Sequence, residues 1–74
     1  MAQAVGIPDY YATLQVSRYS STEAIRDSYR KQALKEHPDK SKYAGATERF
    51  QRLAEAWEIL RDHERRAAYD RELE

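Results

Sequence analysis

Residues 21–40 read STEAIRDSYRKQALKEHPDK, and this stretch decides the fold. Ser21 suits a helix N-cap, where its side-chain oxygen can accept a bond from an orphan backbone N–H. Glu23 in the first turn faces the positive end of the helix dipole. With Ile25 set at zero and about 100° per residue, Tyr29 falls at about 40° and Ala33 at about 80°, with Gln32 and Ser28 on the other flank. That is the inward face. Arg26, Asp27, Arg30, Lys31 and Lys35 occupy the arc from about 100° to about 280°. That is the outward face. Leu34 sits in the middle of the charged arc, and two readings stand for it: burial against a neighbouring helix, or an apolar contact offered to a partner. Pro38 ends the helix near Glu36, because the residue before a proline is pushed out of the α region and His37 should be extended. Asp39 to about Ala44 then make a polar loop that carries Lys40 and Lys42.

Beyond that loop, a third helix is expected from near Gly45 to about Arg61. Phe50, Leu53, Ala54, Trp57 and Leu60 repeat at i, i+3, i+4, i+7 and i+10, the strongest helical stripe in the chain. It should pack antiparallel on the second helix, with Tyr29 and Trp57 in the shared core. Asp62 caps a short fourth helix, about His63 to Leu73, which presents Ala67, Ala68 and Tyr69. Towards the N-terminus, Pro8 suits a first turn and opens a short helical segment with Tyr10, Tyr11 and Leu14. Val16 follows, and Ser17 to Ser20 form a polar connection. The expected fold is all-α: two long antiparallel helices with a short helix at each end. Its core is drawn from Tyr11, Leu14, Ile25, Ala33, Phe50, Leu53, Trp57, Leu60 and Tyr69. Residues 1–7 read as a flexible leader and residues 8–74 as one domain.

Composition narrows the function. At 74 residues the domain has a thin core, which favours a protruding recognition surface over a walled pocket. Cysteine is absent, so disulfides and thiolate metal sites are excluded. No secretory signal or membrane-length apolar run is visible, and a cytosolic or nuclear setting is the default expectation. Thirteen basic and thirteen acidic residues give a net charge of zero, unlike a dedicated nucleic-acid binder. The charge is uneven, however. From Thr22 to Lys35 four cations stand against two carboxylates, and from Ala44 to Glu74 six cations stand against eight. On charge alone, Arg26, Arg30, Lys31 and Lys35 read as a solvated face. Asp39 alone reads as a turn cap.

The order of motifs says more. Asp9-Tyr10-Tyr11 is followed by Tyr29-Arg30-Lys31-Gln32-Ala33-Leu34-Lys35 and by His37-Pro38-Asp39-Lys40. Phe50-Gln51 then leads to Glu55-Ala56-Trp57-Glu58-Ile59-Leu60, and the series closes with Arg66-Ala67-Ala68-Tyr69-Asp70. Over roughly residues 8 to 72 this arrangement resembles the J-domain of the Hsp40 (DnaJ) co-chaperone family. The resemblance implies a module that binds an Hsp70 chaperone in its ATP state and stimulates ATP hydrolysis, which promotes client capture. It implies docking through Arg26, Tyr29, Arg30, Lys31, Leu34, Lys35 and Lys40, and activation through the loop residues His37, Pro38 and Asp39, with the aspartate engaging an arginine of the Hsp70. From composition, charge and the lack of nucleophile or metal-ligand spacing, no cofactor, no metal, no catalytic residue and no specific nucleic-acid or membrane partner is expected. A monomer is expected, because the two-helix core leaves no obvious second apolar face. The physics of the residues agrees with this: a basic helix face suits electrostatic steering of a transient partner, and Pro38 would reduce the entropy Asp39 loses on binding.

Four positions depart from the family pattern. Gln15 stands where glycine is usual, Asp27 where a basic residue is frequent, Glu36 where an aromatic is common, and His63 where proline often follows the cap. Asp27 weakens the positive face. Glu36 points towards the core and meets the negative end of the helix dipole, so a loosened last turn is expected there. Three rival functions are weighed against the co-chaperone. An enzyme would need a nucleophile motif or metal-ligand spacing, and neither is present. A nucleic-acid binder would need a basic excess. A scaffold that no longer activates Hsp70 is the third, disfavoured because His37-Pro38-Asp39 is intact.

Overall fold

A computed structural model of the chain describes residues 7–37, 39 and 44–74. Residues 1–6 of the expected leader, Pro38, Lys40 and the remainder of the loop to Tyr43 lie outside the described residues. Four helices follow one another: α1 (Tyr10–Thr13), α2 (Thr22–Glu36), α3 (Ala46–Leu60) and α4 (His63–Leu73). No strand occurs among the described residues.

Each boundary has a local cause. Asp9 rather than Pro8 begins α1: its carboxylate accepts the Ala12 N–H at 3.0 Å, and Pro8 lies one residue ahead of this cap instead of in the first turn. After one turn the helix stops in a Schellman pattern. The Val16 N–H reaches Tyr11 O at 2.9 Å and the Gln15 N–H reaches Ala12 O at 3.0 Å. That pattern needs a left-handed residue, and Gln15 supplies it at φ +57°. Ser21 caps α2 through the Ala24 N–H at 3.1 Å. Gly45, left-handed at φ +86°, precedes α3 and forms no side-chain cap. Asp62 caps α4 by accepting the Glu64 and Arg65 N–H groups at 2.9 and 3.1 Å, and those bonds hold its carboxyl below the usual carboxylate range. With Asp62 in that role, His63 at the proline-favoured position leaves the cap intact.

The α2–α3 pair is antiparallel, as the cross-contacts show: Tyr29 stacks on Trp57 at 5.5 Å, and His37 meets Phe50 edge-on at 5.3 Å. As the numbering rises along one helix it falls along the other. Tyr11, Leu14, Ile25, Leu53, Ala56, Leu60 and Tyr69 form the buried cluster. Ala33, Phe50 and Trp57, expected in the core, are half-buried. They lie along the edge of the helix pair, where one side of each residue faces solvent. Ala46 and Ala56 are buried although the apolar stripe does not single them out. Ile7, at the end of the expected leader, is half-buried against the core cluster.

A polar network joins the short helices to the long pair. Tyr69 Oη accepts the Tyr10 N–H at 2.9 Å and donates to Pro8 O at 2.6 Å. Tyr11 Oη donates to Asp70 Oδ1 at 2.6 Å and accepts from Arg66 Nε at 3.0 Å. Arg66 Nη2 also donates to the carbonyls of Arg18 and Ser20 at 3.0 and 2.7 Å. From α2, Ser28 Oγ and Gln32 Nε2 both donate to Leu14 O, at 2.6 and 2.7 Å. Burial is the leading cause that raises the phenol pKa values of Tyr10, Tyr11 and Tyr69. These bonds fix the angle of α2 and with it the direction of its outer face.

Candidate functional site

The site consists of the outer face of α2 and the turn that follows it. Helix periodicity places Arg26, Arg30, Lys31 and Lys35 on one side, and all four are exposed. Arg26 leans towards its neighbour Asp27, with Nε 3.7 Å from Oδ1, so the departure at Asp27 offsets part of the positive face. Among the described residues no carboxylate lies within ion-pairing distance of Arg30, Lys31 or Lys35. Leu34 stands among these cations and is 61% exposed. It is not buried against a neighbouring helix, so the apolar-contact reading is the one its placement allows. Beside it lies an open hollow lined by Tyr29, Arg30, Ala33, Leu34, His37 and Phe50. Tyr29 reaches this hollow while stacked on Trp57, and the arginine side chain of Arg61 covers that indole ring at 5.7 Å.

The turn begins as α2 ends. His37 has extended backbone, at φ −58° and ψ 131°, as a residue before proline must. Its ring packs its edge on Phe50. Its Nδ1 accepts the Asp39 N–H at 3.1 Å, so on this geometry the ring proton belongs on Nε2. The Asp39 side chain is 90% exposed. His37 therefore holds the backbone of the turn while the carboxylate stays exposed, with Oδ2 3.8 Å from His37 Nδ1. The His37 ring packs inward while about half of its side chain remains exposed. Pro38 and Lys40, both expected in the site, lie outside the described residues.

The sequence predicts a loosened last turn at Glu36. Instead, α2 runs through Glu36, and Arg49 Nε donates to Glu36 Oε1 at 2.8 Å. The arginine offsets the cost of a carboxylate at the negative end of the helix. Sequence reasoning passed over Arg49. The available signal was a carboxylate aimed inward at a helix end, which requires a cation on the facing helix.

The arrangement sets cations around an apolar side chain, with one exposed carboxylate at the end. Among the described residues no three histidine or carboxylate side chains converge as a metal site, and no helix is long and apolar enough to cross a membrane.

Comparison with known proteins agrees with this geometry. Residues 9–70 match the family model for the DnaJ domain. Two chaperone proteins DnaJ are similar over 85% of the chain: that of Methanosarcina thermophila is 52% identical over 63 residues, and that of Anaplasma marginale (strain Florida) is 52% identical over 64 residues. The match spans only 16% and 17% of those relatives' lengths. Among solved structures, the J-domain of human DnaJ subfamily C member 12 aligns with 96% of this chain and 64% of that one, at 39% identity and a TM-score of 0.78. A J-domain of a mouse DnaJ-like protein aligns with 95% of this chain and 85% of that one, at 28% identity and a TM-score of 0.75.

Proposed function

The chain belongs to the DnaJ-domain family, and we propose that it acts as a co-chaperone module that docks on the ATP state of an Hsp70 and stimulates its ATP hydrolysis. The observation that carries this reading is the exposed Asp39 carboxylate at the end of a cationic helix face, on a residue whose backbone N–H is bound by His37. In the proposed mechanism, Arg30, Lys31 and Lys35, with Arg26 at the margin, steer an acidic surface of the Hsp70 onto α2. Such steering raises association rates and weakens with salt. Leu34 and the neighbouring hollow take an apolar side chain from the partner. Docking then brings Asp39 against an arginine of the Hsp70, and a desolvated Arg–carboxylate pair is strong and directional. Pro38 and Lys40, which flank Asp39 in the sequence, complete the proposed site, a proline restricting backbone freedom on binding.

On this reading the domain regulates the Hsp70 ATPase and performs no chemistry of its own. We assign it a monomeric state, since Tyr19 and Leu34 are the large apolar side chains exposed among the described residues. A cytosolic or nuclear setting suits a chain without cysteine.

The test is single-turnover ATP hydrolysis by purified Hsp70s, with and without the chain, at two salt concentrations. Stimulation that weakens with salt and disappears in Asp39→Asn is expected. A folded chain that stimulates none of several Hsp70s would support a scaffold role instead.

A further inference from the structure

A single guanidinium bridges the two sides of the turn. Arg49, in the first turn of α3, donates through Nε to Glu36 Oε1 at 2.8 Å and through Nη1 to Ala44 O at 3.3 Å. Residue 36 closes α2 before the turn and residue 44 lies after it. The pair is the shortest ion pair among the described residues, and its side chains are 42% and 27% exposed. Partial burial lessens screening by salt. Gly45 makes room for it: a Cβ there would sit 3.1 Å from Arg49 Nη1, and the backbone at φ +86° disfavours any other residue. The residue after Arg49 is Phe50, on which the His37 ring rests, and that ring accepts the Asp39 N–H. A continuous set of contacts therefore runs from Glu36 and Arg49, through Phe50 and His37, to the backbone of Asp39.

We propose that the Glu36–Arg49 pair is a positioning device that sets the direction in which Asp39 is presented. The inference rests on the function proposed above and adds two residues that lie off the outer face of α2. Glu36 cannot serve the docking face, because its carboxylate is committed to α3. The pair also offsets the cost of a carboxylate at the last turn, which opposes the dipole when unpaired. What the pair supplies is a fixed relation between the end of α2 and the start of α3. Through that relation it fixes the seat of His37 on Phe50. Orientation acts on the productive complex more than on encounter, and small misplacements are costly there.

The experiment uses the full chain with Glu36→Arg, Arg49→Glu and the double exchange of both. Each is titrated in single-turnover hydrolysis against an Hsp70 that the unaltered chain stimulates. Each single variant should lower the maximal stimulated rate about fivefold or more, with little change in the half-saturating concentration. The double exchange should restore the rate to within about twofold of the unaltered chain. Arg30→Ala, on the docking face, should raise the half-saturating concentration instead. The proposal is overturned if the single variants keep the maximal rate, if the double exchange stays as low as they are, or if the loss is confined to half-saturation. Should the unaltered chain stimulate no Hsp70, the function proposed above fails, and the positioning claim is decided by NMR of the chain alone. The His37–Phe50 ring contact and the Asp39 amide shift should change in both single variants and return in the double exchange. Unchanged spectra would refute it.

Discussion

Two arginines hold the two ends of α2, and they do so with different chemistry. Arg66, from α4, reaches the approach to α2 and binds neutral oxygens: the Tyr11 hydroxyl and the carbonyls of Arg18 and Ser20. It is half-buried, with its guanidinium over the Tyr11 ring at 5.5 Å. Arg49, from α3, reaches the last turn and binds a carboxylate and one carbonyl. The first end is continuous with the core through Tyr11 and Tyr69. The second stands at the rim, beside the half-buried Phe50 and His37. The difference separates two tasks. The Arg66 end fixes where α2 lies, at a cost in stability if it is broken. The Arg49 end governs what α2 presents at its tip, where little of the core is at stake.

That contrast can be broken most forcefully at Arg66. Arg66→Met keeps the length and apolar stem but removes donors to three oxygens. A loss of about 2–3 kcal/mol is expected, since hydrogen bonds from a charged donor are worth more than neutral ones. For a domain of this size that lowers Tm by about 10–20 °C, as a thermal melt followed by circular dichroism would show. Stimulation per folded molecule should persist below the melting transition. An effect of the same size on Tm from Arg49→Glu would erase the distinction between the two ends.

Alkaline titration sharpens the same comparison. Burial raises the folded-state pKa of Tyr10, Tyr11 and Tyr69 above the ordinary value of 10.0. The neutral phenols are therefore favoured by folding, and their contribution is fully present below pH 10.0, the ordinary value from which these groups are raised. It is lost as pH rises through the folded pKa values. Melts between neutral pH and the far alkaline side should show stability falling only above that point. Tyr11→Phe, less stable at neutral pH for want of the Asp70 bond, should lose part of this alkaline dependence.

The smallest effect is expected at Gln15. Its left-handed backbone is strained for a residue with a Cβ, and glycine would adopt it freely. Gln15→Gly should raise stability by about 1 kcal/mol, or Tm by about 4–8 °C. Hydrolysis stimulation should not change: Gln15 shares a hollow with Glu36 and Arg49, but among the described residues its side chain bonds to neither.

Local chemistry made most of the fold legible in the sequence. Ser21 and Asp62 announce their helices by their own side chains, Pro38 stops α2 by sterics, and the Phe50–Leu60 stripe reports a buried face by spacing alone. The exposed cations follow from helical periodicity, and a role for Asp39 comes only from the family resemblance. What stayed hidden depends on contacts distant in sequence. Arg66 looks like one cation among several until α4 folds back over the α1–α2 connection, some 46 to 55 residues away. Arg49 acquires its role only once the antiparallel pair brings it opposite Glu36. Ala56 is buried within the core cluster and Ala46 at the start of α3, and a small side chain announces neither in the sequence. Phe50 and Trp57 show the converse error: apolar spacing indicates a face, but the edge of a two-helix layer leaves such residues half open.

The central claim, that α2 and its tip form the docking surface while the Arg66 end is scaffold, is tested most directly by NMR of the isotopically labelled chain. An Hsp70 held in its ATP state would be added, and amide intensities followed residue by residue. The account predicts early loss of signal from Arg26 to Asp39 and from the start of α3 near Phe50, with α4 signals persisting longer. Preferential loss along α4, with α2 untouched, would contradict it.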